Sequence, residues 1–251
     1  GMDTPAVEPN TPSRLQVEKK RVKELVPPAV RFPYIKMGRS ISGFRLNQTG
    51  GKFGPFENQI FLGDYTLSII LRATTEEING VWQGACYPFR EGLASGIMHV
   101  EYSPQGQLIA GGFTTNRQWP VRGTEPFALQ RIDWTGLMPF EIKEINIRKN
   151  GFLINFTKPV DRSIAAKTDL YQITTYTHKF SAGYGSPEVD QTTAKVTKAV
   201  PSADGLSVMV HLETIIEGHI HEFDLATMNS KEGESLLHTK AYYTVNEIPK
   251  N

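Results

Sequence analysis

Apolar and polar residues alternate in short runs along most of this chain, and helical spacing shows only near its start. From Ser13 to Val26 a helix is expected. Ser13 caps it, and Leu15, Val22, Leu25 and Val26 fall near one face among Lys19, Lys20, Arg21 and Lys23. Pro27 and Pro28 stop it. Beyond Pro33 the period is two. Ser40–Leu46, Gln59–Leu62, Ser68–Ala73 and Val81–Tyr87 are rich in aromatic and β-branched residues and are bounded by Gly, Asn or Pro clusters, so each predicts a strand. Asn79-Gly80 predicts a tight hairpin turn between the last two. A second unit follows, with Ile97–Tyr102, a turn at Ser103-Pro-Gln-Gly106, then Gln107–Gly112, a Gly/Pro-rich loop and Phe127–Trp134. Two four-strand-like units in series predict propeller blades.

After Gly136 the spacing becomes that of a sandwich. Phe140–Ile147, Gly151–Phe156, Leu170–Thr177, Thr193–Val200, Leu206–Leu212, His219–Asp224 and Ala241–Val245 predict strands, and Asp161–Ala165 a short helical turn. Asn150-Gly151 and Asp204-Gly205 supply turn chemistry between neighbouring runs. The expected fold class is therefore all-β and antiparallel. The expected organisation is a linker and short helix over 1–29, a propeller-blade-like domain over 30–137 and an immunoglobulin-like β-sandwich over 138–251.

Composition narrows the function more than the fold. For 251 residues, area scaling gives a folded surface of roughly 11,000 Å² against roughly 41,000 Å² unfolded, ample for one large or two small cores. With 27 basic and 26 acidic residues there is no long-range field to favour a nucleic-acid partner. No apolar run approaches the ~18 residues of a bilayer span, so no membrane span is expected. Cys86 is the single cysteine, which forbids an intrachain disulfide and a multi-Cys zinc site. Gly1 ahead of Met2 reads as a residue left by tag cleavage, and 3–12, with three prolines, as linker.

Several residues carry candidate chemistry. His219 and His221 stand at i and i+2 of a predicted strand, which turns two imidazoles to one face as a metal pair, with Glu222 turned away. A third ligand would come from His211, His238 or Asp224; the bland alternative is a polar sheet face. Asp64, Arg117, Trp119 and Arg122 sit at strand ends or loops. An arginine beside an exposed tryptophan suits a sugar or carboxylate, the guanidinium donating forked hydrogen bonds and the ring stacking. The alternative is that Trp119 packs its loop and Arg117 pairs with a local carboxylate. Cys86 reads as a buried small hydrophobe, the Gly50–Pro55 run as a connecting turn rather than a phosphate cradle, and Glu188 with Asp190 as a weak candidate for Ca²⁺.

Thr49-Gly-Gly-Lys-Phe-Gly-Pro-Phe56, Gln83-Gly-Ala-Cys-Tyr-Pro-Phe-Arg90, Thr115-Asn-Arg-Gln-Trp119 and Leu236-Leu-His-Thr-Lys-Ala-Tyr-Tyr-Thr-Val-Asn246 resemble the C-terminal region of secreted bacterial glucose/sorbosone dehydrogenase-like proteins. The resemblance covers about residues 30–248. It implies the last blades of a quinone-type propeller followed by an immunoglobulin-like module, in a periplasmic or extracellular setting. The family's catalytic histidine lies in an early blade, and no histidine precedes His99 here. The expected function is thus a non-catalytic or partly catalytic portion of a sugar-dehydrogenase-like protein that docks a partner or binds a glycan. The alternative is a quinone-dependent sugar or alcohol oxidoreductase completed by further blades or subunits. The cofactor stays open; the expected partners are a carbohydrate, an extracellular protein, or a second copy covering open sheet edges.

Overall fold

The computed structural model describes residues 13–115, 119–180 and 184–250. Their fold is all-β, with three antiparallel sheets, two short α-helices and one 3₁₀ turn. Strands β1 (Ile41–Leu46), β2 (Ile60–Asp64), β3 (Ile69–Ile78) and β4 (Val81–Arg90) form the expected antiparallel meander. Asn79 and Gly80, with φ of 50° and 80°, make the β3–β4 turn, the left-handed pair that matches strand twist. The second unit has three strands, β5 (Ile97–Tyr102), β6 (Leu108–Phe113) and β7 (Phe127–Ile132), in a sheet of their own.

The C-terminal part contributes β8 (Ile142–Arg148), β9 (Gly151–Phe156), β10 (Gln172–His178), β11 (Glu188–Thr193), β12 (Val196–Pro201), β13 (Ser207–Leu212), β14 (Ile220–Asp224) and β15 (Lys240–Thr244). One sheet runs β12-β13-β9-β8, and β15-β14-β10-β11 lie in another. Phe152, Ile154, Val208 and Val210 from the first interleave with Ile173, Phe223, Ala241 and Tyr243 from the second. Each valine, isoleucine and phenylalanine among them adds about 1.5–3 kcal/mol on full burial. Helix α2 (Arg162–Ala165) occupies the expected helical turn, capped by Asp161, which accepts from the Ser163 and Ile164 amides.

The boundary expected at 137/138 does not separate the sheets. β4 pairs with β15 through Gly84↔Thr244, Ala85↔Tyr243 and Cys86↔Tyr242, so β1-β2-β3-β4-β15-β14-β10-β11 is one eight-stranded sheet. Period-two patterning reports which face of a strand is buried and is silent on which edge it pairs with, so a strand from the chain's end closing on β4 leaves no local mark. Arg72 marks the seam. It is fully buried, donating to the Ile142 and Lys143 carbonyls and to Gln59 Oε1, with the Phe56 ring centre 3.9 Å from its guanidinium carbon. On the same side, Phe61 and Ile70 pack with Ile97, Val100, Leu108 and Ala110 of the three-stranded sheet.

The N-terminal segment covers the sheet's other face. Helix α1 (Leu15–Arg21) is shorter than the pattern predicts and buries Glu18, bound by Ser13 and Arg21. Arg14 grips Asp190 on β11 with two hydrogen bonds, at 2.6 and 2.9 Å. Further on, Arg31 donates to Thr244 and Gly218, while Met37, Val30 and Phe32 lie over Leu71, Ala73, Cys86 and Tyr242.

Candidate binding site

Asp64 ends β2 and organises the turn that follows it. Oδ1 accepts from the Leu67 amide at 2.7 Å, and Oδ2 from the Arg39 and Ser40 amides at 2.6 and 2.7 Å. With 0% exposure and three N–H donors, the carboxylate expected to contact a ligand is spent on the backbone.

The turn presents two hydroxyls, Ser40 Oγ and Thr66 Oγ1, 2.9 Å apart. Both receive the indole N–H of Trp119, at 3.0 and 2.9 Å. The Tyr184 ring meets the indole edge-on at 5.5 Å, which fixes its tilt. Trp119 nevertheless keeps 40% of its surface exposed. It lines an open groove of about 460 Å³ with Tyr65, Met98, Phe113 and Ile41. The hydroxyls along this groove face inward: Ser42 reaches the Ile97 carbonyl at 2.6 Å, and Tyr65 both bonds the Thr115 hydroxyl and accepts from its amide. A polar floor satisfied internally beneath exposed rings suits a flat, weakly polar face.

Arg122 joins the same turn through its amide, which donates to the Thr66 carbonyl at 2.9 Å, and it is exposed. Arg117 lies outside the described residues. Asp64 and the Arg122 amide thus both brace the turn that holds the Trp119 indole, with the aspartate as scaffold.

The histidine pair takes another role. His221 is 0% exposed, neither ring nitrogen has a partner, and its ring sits 5.2 Å from that of Phe152. Burial pushes its pKa down to about 3, so the imidazole is neutral and packs as an aromatic. His219 reaches Thr175 at 3.3 Å, and Thr175 is the residue registered opposite His221. Among the described residues no group of three or more His, Cys, Asp or Glu is arranged to hold a metal. Of the expected metal pair, His221 packs in the apolar core against Phe152, whereas His219, just before β14, bonds Thr175. Glu222 does turn away, to Lys36 and Lys240. Glu188 and Asp190 are held by Lys36 and Arg14.

The Gly50-Gly51 amides accept an anion, and it is the chain's own: they donate to the two Glu57 carboxylate oxygens at 3.1 Å each. Burial raises the Cys86 thiol far above its ordinary range, which makes it a packed sulfur.

One constellation has no sequence signal. His238 Nδ1 meets buried Glu141 at 2.6 Å, across 97 positions of chain. The pair borders a cleft of about 100 Å³ walled by Phe53, Phe56, Phe89 and Trp134. That is well below the ~300 Å³ at which small-molecule sites begin.

No family model matches the chain, and comparison with curated proteins and with solved structures likewise finds no match.

Proposed function

We propose that the chain is a non-catalytic binding module that takes a carbohydrate on the Trp119 groove. One observation carries the reading: the Trp119 indole is pinned by Ser40 and Thr66, yet its ring stays open beside Tyr65 and Phe113. A preset ring loses little freedom on binding, and its electron-rich face suits the C–H face of a pyranose. Arg122, exposed and held in the same turn by its amide, is the candidate donor for hydroxyls or a uronate carboxylate.

The scaffold reading supports this role. Lettering β8, β9, β10, β11, β12, β13, β14 and β15 as A, B, C, C′, D, E, F and G gives sheets A-B-E-D and G-F-C-C′. That order suits an immunoglobulin-like sandwich, here with the meander added at its G edge. Together with the resemblance to secreted sugar-dehydrogenase-like proteins, it favours an extracellular accessory portion that holds a glycan.

The test is calorimetric titration of the purified chain with neutral and uronic-acid oligosaccharides. Saturable heat is expected, with affinity lowered at least about tenfold in Trp119→Ala and little changed in Trp82→Ala. Absence of heat at about 10 mM ligand, above the range of useful carbohydrate affinities, overturns the reading. So does saturable binding of pyrroloquinoline quinone with Ca²⁺ that turns over aldoses, which would make the chain an oxidoreductase.

A further inference from the structure

The edge of the three-stranded sheet is built to pair with itself. β7 is the outer strand, and its Phe127 and Leu129 are 75% and 79% exposed. Natural edges carry lysine, proline or an inward charge to discourage pairing. Within β7 the only charge is Arg131, and it points outward with Phe127 and Leu129.

The hydrogen-bond phase singles out one alignment. Thr114 donates to the Pro126 carbonyl, and β6 pairs with β7 as Gly112↔Ala128 and Ala110↔Gln130. In an antiparallel ladder bonded pairs alternate, so Pro126 spends its C=O, and Ala128 and Gln130 both their N–H and C=O groups, on β6. Phe127, Leu129 and Arg131 then direct theirs away from the sheet. Pairing with a second β7 must match these outward residues with one another. An antiparallel alignment about a twofold axis at Ala128 does so, setting Phe127 against Leu129 of the second copy and Glu125 against its Arg131. Every exposed side chain in that row meets a complement, aromatic to aliphatic and acid to base. Moving the axis to residue 127 or 129 places like on like at the centre and sets Glu125 against Leu129, or Phe127 against Arg131.

We propose that β7 is a homodimerisation edge, joining two three-stranded sheets into one of six strands through Phe127, Leu129, Glu125 and Arg131. Four backbone hydrogen bonds form between the Phe127 and Leu129 residues of the two copies. An interface of this length lies at the small end of specific contacts, so assembly is concentration-dependent. The edge adjoins the Trp119 groove, because Phe127 is registered opposite the groove residue Phe113, yet dimerisation needs no ligand.

Sedimentation equilibrium of the full chain from about 1 µM to about 500 µM tests it. A monomer–dimer equilibrium is expected. Glu125→Arg alone and Arg131→Glu alone should each weaken it at least about tenfold, and the double exchange should return it to within about threefold of the parent. Leu129→Pro removes an outward N–H that β6 does not use, and should leave a monomer with unchanged circular dichroism. A chain that stays monomeric throughout the range overturns the proposal. So does a dimer indifferent to both charge reversals, and these surface variants decide the matter should the proline variant fold poorly.

Discussion

Arg72 Nη2 donates to the Ile142 carbonyl at 2.8 Å, tying the third strand of the long sheet to the first strand of the four-stranded sheet opposite. Burial lowers the guanidinium pKa to about 10, so it stays charged at neutral pH, with the Phe56 and Tyr87 rings at 3.9 and 4.6 Å. Its oxygen partners are the Gln59 side chain and the carbonyls of Lys143 and Ile142. Replacement by methionine fills the space and leaves these acceptors dry. Arg72→Met is expected to cost about 3–5 kcal/mol, and Arg72→Lys less, because an ammonium keeps the charge but cannot span the same fork. Urea denaturation monitored by circular dichroism measures both.

Asp64 gives a second stability test with a reading at the groove. In Asp64→Asn an NH₂ group replaces one oxygen, and either amide orientation turns a donor toward at least one of the Arg39, Ser40 and Leu67 amides. A loss of about 2–4 kcal/mol is expected, nearly that of Asp64→Ala. Ser40 carries an acceptor for Trp119, so tryptophan emission should also shift to the red. An unchanged denaturation midpoint would refute the scaffold role.

How far these features can be read from the letters differs by kind. Strands β1 to β7 match the predicted runs, because Val, Ile and aromatic residues at period two and turn pairs such as Asn79-Gly80 are local signals. β11 escapes, since Glu188-Val-Asp-Gln-Thr-Thr193 has one apolar residue and lies on a sheet edge. The joining of β4 to β15 escapes as well, because pairing across more than 150 positions leaves no trace in either strand. At the site, Trp119 beside Pro120 and Arg122 are legible as loop residues. Asp64 looked the same in sequence, and only its three amide donors reveal it as internal. His219 and His221 show the limit of spacing: i and i+2 share a face, but whether that face is wet or dry depends on the sheet packed against it. Glu141 and His238 meet only because two distant segments cross.

Cys86 should behave as a reporter of opening. It is 0% exposed, paired in register with Ala73 and Tyr242 at mid-sheet, and its thiol is held protonated by burial. Alkylation by iodoacetamide needs the thiolate and access, so labelling in native buffer should be slow and should accelerate in step with unfolding as urea is added. Labelling of the native chain at the rate of a free thiol would place Cys86 outside the core.

His221 makes stability depend on pH with a definite sign. Its folded pKa is about 3 against an ordinary value of 6.5, and burial is the chief cause, with the neighbouring His219 adding to it. As pH falls below 6.5 the unfolded chain takes up the proton and the folded chain refuses it, so the unfolded state binds more protons and stability declines with acidity. Above 6.5 both states are neutral and the contribution is complete; it drains away down to about pH 3. The slope from this residue approaches about 1.4 kcal/mol per pH unit, or about 2 kcal/mol lost by pH 5. His178 and His219, both also lowered by burial, act in the same direction more weakly. His221→Leu replaces the ring with an apolar side chain against Phe152 and removes the largest share. Denaturation free energies at pH 7, 6 and 5 should therefore fall less steeply in the variant, so the stability of the parent minus that of the variant should decrease as the solution is acidified. Parallel pH profiles would mean that His221 titrates in the folded chain and is not sealed in the core.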